Sequence, residues 1–372
     1  MAGILRTFPA PLMLARQPAR GLARTTRQGG KQEDMNTMLT VLEPEGLYPD
    51  TSEEQRILGP NVRLLHGGGE ESIARLPDAV CAEVDGLFIF RNWLSAADIA
   101  RFPKLKAVVR MGVGYDRLAR AALAARGVTV CNVPDYGTTE VADHAVALIL
   151  ALRRGITLHH DLQRAEPPAP WAYVTSPLLQ RFSEQTVGLL GLGRIGTAVA
   201  LRMKAFGCRV VFHDPYLPNG VERALGIARA RTREELLEQA DILSLHAPRT
   251  RTTEGLVGER ELRRLPAGAV VVNTARGPML DIDALYTVLR DGHLAGAGLD
   301  VIPQEPPVEP IPRLLAAYRA REPWLEGRLI ITPHSAFYTP HAYDDIRIKS
   351  AETMRDVLLD GLRSNVVDPA TD

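Results

Sequence analysis

Cysteine is scarce: the 372 residues hold three, Cys81, Cys131 and Cys208, far apart and with no Cys-x-x-Cys pair. They form no even disulfide framework, which fits a reducing compartment, and no metal site is expected. Charge of one sign is also missing. The 44 Lys and Arg balance 44 Asp and Glu, so no global basic field argues for nucleic acid or an anionic membrane, and the expected partner is a small molecule. No run approaches 18 apolar residues, which excludes a transmembrane helix. Acid is absent from the first 32 residues, which carry Arg6, Arg16, Arg20, Arg24, Arg27 and Lys31. Residues 1–34 therefore form a basic leader, expected to be disordered. Its composition resembles an organelle transit peptide, which would make the protein mitochondrial. Arg predominates over Lys throughout, and this favours an upstream start with Met35 or Met38 opening the folded part; a cytoplasmic location is then expected.

What is present is ordinary globular material, 45% apolar and 24% charged, in a chain long enough for two domains. From Met38, short apolar runs alternate with helical segments: 39–42, 62–65, 86–90, 107–110 and 128–131. Runs of this length without strict alternation suit strands buried on both faces of a parallel sheet. Helices are expected over 95–103 and 116–126. A longer one, Thr138 to Arg154, carries Val141, Ala145, Leu148, Ile149 and Leu152 on one face and should connect two domains. After a proline-rich loop at 166–171 the rhythm restarts with six strands, at 186–190, 209–212, 241–245, 269–273, 296–300 and 329–332. A closing helix from His341 to Leu362 should pack back on the first domain and make it discontinuous. The fold class is α/β, with two doubly wound parallel sheets.

Gly191-Leu-Gly193-Arg194-Ile195-Gly196 follows the first of those six strands and opens an amphipathic helix bearing Ala198, Val199, Met203 and Phe206. In that setting Gly191 permits a tight turn, Gly193 lets backbone approach a pyrophosphate, and Gly196 lets helix and strand pack closely. The helix N-terminus adds free N–H groups and a favourable dipole. Asp214 ends the next strand 18 residues past Gly196, where a carboxylate would accept from ribose hydroxyls and repel a 2′-phosphate. NAD is thus favoured over NADP, although Asp214 could instead cap the turn at Pro215. Three polar groups stand at later strand ends: Arg276, Glu305 and His334. A guanidinium, a carboxylate and an imidazole suffice to hold and protonate a 2-keto acid.

These blocks, with Met111-Gly-Val-Gly-Tyr-Asp116, Val272-Asn-Thr-Ala-Arg-Gly277, Gly298-Leu-Asp-Val301, Glu305-Pro306 and Thr332-Pro-His-Ser-Ala336, resemble the D-isomer-specific 2-hydroxyacid dehydrogenases over roughly residues 60–360. Lys204-Ala-Phe-Gly207, Asp214-Pro-Tyr216 and Ser335-Ala-Phe-Tyr338 look most like the C-terminal-binding-protein branch. The resemblance implies a Rossmann NAD-binding domain, 137–334, inserted in a flavodoxin-like substrate domain, 35–136 and 335–372. It implies hydride transfer between NAD and a 2-keto or D-2-hydroxy acid, with His334 as acid/base, Glu305 on its far nitrogen favouring the charged form, and Arg276 clamping substrate. Glutamate rather than glutamine at 305 argues against a formate dehydrogenase. Arg110, Val113 and Gly114 are expected to take the substrate carboxylate. Phe337 stands where the corepressor-like branch often has tryptophan and walls the pocket. Asp300 would fix the nicotinamide amide, His246 and Pro248 would line the adenosine side, and Thr274 and Ala275 would join the cofactor set. A homodimer is implied, through the cofactor domain and its 138–154 helix, without the C-terminal regulatory domain of some phosphoglycerate dehydrogenases. An NAD(H)-gated corepressor-like interaction protein and a phosphoglycerate or phosphite dehydrogenase remain alternatives. The 28 residues from Pro306 to Pro333 make a long insert without an assigned role.

Overall fold

The computed structural model describes residues 38–69 and 72–368; the basic leader lies outside them. The first sheet has five parallel strands, β1 Leu39–Glu43, β2 Val62–His66, β3 Gly86–Ile89, β4 Ala107–Arg110 and β5 Thr129–Asn132, in the order β2-β1-β3-β4-β5. The second has seven, β6 Thr186–Leu190, β7 Arg209–His213, β8 Ala228–Arg229, β9 Ile242–Leu245, β10 Ala269–Asn273, β11 Leu294–Leu299 and β12 Leu329–Ile331, in the order β12-β11-β10-β9-β6-β7-β8. Read from β6, this is the doubly wound dinucleotide order with one strand added, and its switch point falls between β6 and β9.

Parallel strands need crossover helices on both faces, so every central strand is buried on both sides. β3, β9, β10 and β11 accordingly bury every residue. Each sheet has two cores, one per face. The helix Thr138–Arg153 packs on β10 and β11 and ends in Arg153, whose buried guanidinium donates to Asp241 O at 2.6 Å and Gly268 O at 3.0 Å. The last helix, Pro340–Leu358, returns to β3, β4 and β5 of the first sheet. There Arg347 pairs with the buried Glu54 at 2.7 Å, and the Tyr48 hydroxyl donates to Tyr343 O at 2.8 Å.

Three expectations need correction. The second sheet has seven strands rather than six, because the two-residue edge strand β8 carries no apolar run to announce it. The helix expected from Asp116 starts at Arg120, since Tyr115–Ala119 turn along the cleft and Leu118 bridges to Leu94. The closing helix stops at Leu358, with Gly361 in the left-handed region beyond it.

Candidate active site

A cleft of about 970 Å³ runs along the carboxyl ends of both sheets. It gathers most of the residues singled out from the sequence. Arg110 ends β4 and Val113 and Gly114 come from the loop after it, Gly193–Ile195 from the turn after β6, and His246 and Pro248 from the end of β9. Thr274–Arg276 follow β10, Asp300 and Glu305 follow β11, and His334 and Phe337 follow β12. Gly191, Gly196 and Asp214 do not line it.

At the glycine turn, Gly191 has φ +92° and lies so close to His246 and Ala247 that a Cβ would sit 2.7 Å from the Ala247 nitrogen. A Cβ on Gly196 would stand 2.5 Å from Gly191 O, whereas one on Gly193 would meet nothing within 4 Å. Gly193 thus faces open space just ahead of helix Arg194–Ala205, whose first N–H groups have no intrahelical acceptor. Deeper in, the Thr274 hydroxyl is buried without a hydrogen-bond partner. An open cradle at a helix N-terminus and an orphaned hydroxyl on the cleft wall both fit a dinucleotide, with pyrophosphate at Gly193–Ile195. The Asp214 carboxylate accepts from Leu192 N–H and Tyr216 N–H, both at 3.0 Å. It therefore braces the glycine turn and caps the Pro215 turn at once. His246 is bonded to the buried Ser244 hydroxyl at 2.8 Å, and burial pushes its imidazole down to about 4.

The acid/base pair is compact. His334 Nδ1 lies 2.6 Å from Glu305 Oε2, and Glu305 Oε1 accepts from Ile302 N–H at 3.0 Å. With Nδ1 engaged, Nε2 is the nitrogen left for the cleft. Burial pushes the Glu305 carboxyl up, but the His334 hydrogen bond and charge, the Ile302 N–H and Arg276 outweigh it, holding the group below its ordinary range. His334 itself sits at φ +53°, a left-handed conformation that costs a non-glycine residue about 1–2 kcal/mol. Asp300 holds it there. Its backbone oxygen accepts from His334 N–H at 2.8 Å, and its carboxylate accepts from Ser335 N–H, Ala336 N–H and the Thr332 hydroxyl at 2.9, 3.0 and 2.6 Å. His144 reaches the same Thr332 hydroxyl at 3.0 Å.

Arg276 is positioned by the fully buried Asn273, whose amide accepts from Ala275 N–H and donates to Arg276 O, both at 3.0 Å. Its Nε donates to Asp116 at 3.1 Å. Burial pushes the Asp116 carboxyl up, but the Arg276 guanidinium outweighs it and holds the group low. The guanidinium rests directly on Gly114, where a Cβ would fall 1.4 Å from Nη2. The N–H groups of Val113 and Gly114 donate to no acceptor among the described residues. Arg110 packs over the Phe90 ring at 5.7 Å. Phe337 stacks edge-on against His334, Phe90 and Tyr136, at centroid distances of 6.3, 6.3 and 6.0 Å.

Phe90, Tyr136 and Thr332 also line the cleft, His144 bonds Thr332, and Asp116 pairs with Arg276, although nothing in the sequence assigned any of these side chains a role. Asp116 and Thr332 lie inside the motif blocks 111–116 and 332–336, and that is the signal that could have found them. Phe90 ends an apolar run, Tyr136 stands in the turn before the 138–153 helix and His144 lies within that helix, where nothing marks a cleft.

The sequence model of the D-isomer specific 2-hydroxyacid dehydrogenase NAD binding domain matches residues 146–336. The chain belongs to this family. The 2-hydroxyacid dehydrogenases are NAD-dependent oxidoreductases acting on CH–OH groups. A glyoxylate reductase of Korarchaeum cryptofilum is 35% identical over 69% of this chain and 73% of its own length. A D-3-phosphoglycerate dehydrogenase of Mycobacterium leprae is 36% identical over 80% of this chain, which spans about half of that relative, 53%. Among solved structures, a D-lactate dehydrogenase from Aquifex aeolicus, complexed with NAD and lactic acid, superposes with a TM-score of 0.74. It has 25% identity over 88% of this chain and 98% of the other. As in other 2-hydroxyacid dehydrogenases, two parallel α/β sheets flank the site.

Proposed function

We propose that this 2-hydroxyacid dehydrogenase reduces a small 2-keto acid to the D-2-hydroxy acid and runs the reverse reaction. The carrying observation is the His334–Glu305 pair, with Nε2 left to face a cleft beside Arg276. Bound NADH supplies the hydride. Arg276, on Gly114, clamps the substrate's carbonyl and carboxylate oxygens through its planar fork, and the unused N–H groups of Val113 and Gly114 take the carboxylate. Protonated His334 gives its Nε2 proton to the carbonyl oxygen as it gains negative charge, while Glu305 stabilises the imidazolium. In oxidation, neutral His334 takes the hydroxyl proton. Asp300 positions His334, and its remaining lone pair is available to the nicotinamide amide. His246, Pro248, Thr274 and Ala275 line the cofactor's path, and Asp214 at its end favours NAD over NADP.

Following NADH absorbance across a panel of short 2-keto acids tests this reading. Turnover of at least one, giving the D product, is expected; tight NADH binding with no turnover at all would overturn it in favour of the corepressor-like alternative. The division of the chain at 136/137 and 334/335 and the affinity with the C-terminal-binding-protein branch belong to the same proposal. So does a homodimer built near the Thr138–Arg153 helix, where the adjoining segment exposes Ile156, Trp171 and Tyr173. Three free, buried cysteines support a reducing, cytoplasmic setting.

A further inference from the structure

The cleft carries more positive charge than the reaction requires. Seven arginines and three carboxylates line it among the described residues. All three carboxylates are already engaged: Glu305 by His334, Asp300 by the N–H groups around His334, and Asp116 by Arg276 at 3.1 Å and Arg249 at 3.9 Å. A pyrophosphate and one substrate carboxylate would answer three of the positive charges, and a surplus remains. It is concentrated on the first-sheet side of the pocket, away from the dinucleotide turn. Arg91 and Arg110 both pack on the Phe90 ring, at 5.4 and 5.7 Å, and Arg117 donates to the Arg91 carbonyl. None of the three makes an ion pair within 4 Å among the described residues. Glu45, the acid adjoining Arg91, spends its carboxylate on the N–H groups of Phe90, Arg91 and Asn92. Burial pushes the Arg110 guanidinium down to about 10, with Arg276 and Arg117 adding like charge. Phe90 also touches Phe337, which touches His334. A substrate whose carbonyl meets His334 would therefore lay its side chain along two aromatic rings toward these guanidiniums. Arg91 is exposed, whereas Arg110 and Arg117 are half-buried; guanidiniums stacked on aromatic rings and without carboxylate partners favour an anion.

We infer that the substrate is a 2-keto acid bearing a second anionic group, carboxylate or phosphate ester, held at its far end by Arg91, Arg110 and Arg117. The inference rests on the 2-keto acid reading of the same site. Paired substrates test it: oxaloacetate against pyruvate, and 3-phosphohydroxypyruvate against hydroxypyruvate. At least one substrate bearing the second anionic group should exceed its partner in kcat/KM by tenfold or more, the arm that does so naming the group. Arg91→Gln should lower kcat/KM for that substrate at least fivefold more than for its partner, through KM, because the Arg91 side chain makes no structural hydrogen bond. Monoanions preferred in both pairs, or equal losses in the variant, would overturn the inference. Calorimetry on the NAD-loaded protein separates this from failure of the chemistry. At least one of D-malate and D-3-phosphoglycerate should bind tenfold tighter than its singly charged partner, D-lactate or D-glycerate, whether or not any keto acid is turned over, and equal affinities overturn the anion site alone.

Discussion

The side chains that matter at residue scale are held by groups that do no chemistry. Glu305 fixes one imidazole nitrogen and adds a counter-charge. Glu305→Gln should keep the hydrogen bond but lose the charge, lowering kcat of reduction about 10–100-fold. Steady-state rates check this; an unchanged kcat would separate Glu305 from the proton transfer. His246 gives a stability signature instead. Its imidazole is held neutral down to about 4 when folded and takes a proton near 6.5 when unfolded. The unfolded state therefore binds more protons between those values, so the stability present above pH 6.5 is lost as pH falls toward 4. Because the side chain borders the cleft, the loss is set at about 1–2 kcal/mol. Urea unfolding of wild type and His246→Gln at pH 7 and 5 should show this difference, with the variant's slope flatter.

At the scale of elements, loops after strand ends carry the site and glycines set their spacing. Gly114→Ala places a methyl where Arg276 Nη2 lies, and should cut kcat/KM at least about 100-fold while leaving thermal unfolding within a few degrees. Normal kinetics in that variant would show that Arg276 does not rest on the loop during turnover. Most elements were legible because their signals are local. Gly191–Gly196 after an apolar run, and the 3–4 spacing of Val141, Ala145 and Leu148, arise from burial of one element against its neighbours. β8 was hidden because two residues at an edge need no apolar run. The start of the helix at Arg120 was hidden because Leu118 is held by a bridge to Leu94, a contact between distant segments. The support of His334 by Asp300 was likewise invisible, since it depends on a left-handed backbone at residue 334 and hydrogen bonds from Ser335 and Ala336.

At the scale of the whole molecule, an early sheet and a late helix pack together. β1 to β5 form a sheet whose covering helix, Pro340–Leu358, arrives only after the second sheet is complete. Arg347, which ties that helix to Glu54, is the place to test that packing. Arg347→Met leaves a buried carboxylate unpaired and should cost about 3 kcal/mol, read from chemical denaturation. A change below about 0.5 kcal/mol would show that the pair contributes nothing to docking.

The central claim is that His334, charged and oriented by Glu305, moves the proton that accompanies hydride transfer. His334→Ala tests it most directly. With whichever 2-keto acid the wild type reduces, kcat should fall about 10³–10⁴-fold while NADH affinity, measured by fluorescence titration, stays within about threefold. Turnover unchanged in His334→Ala would contradict the account.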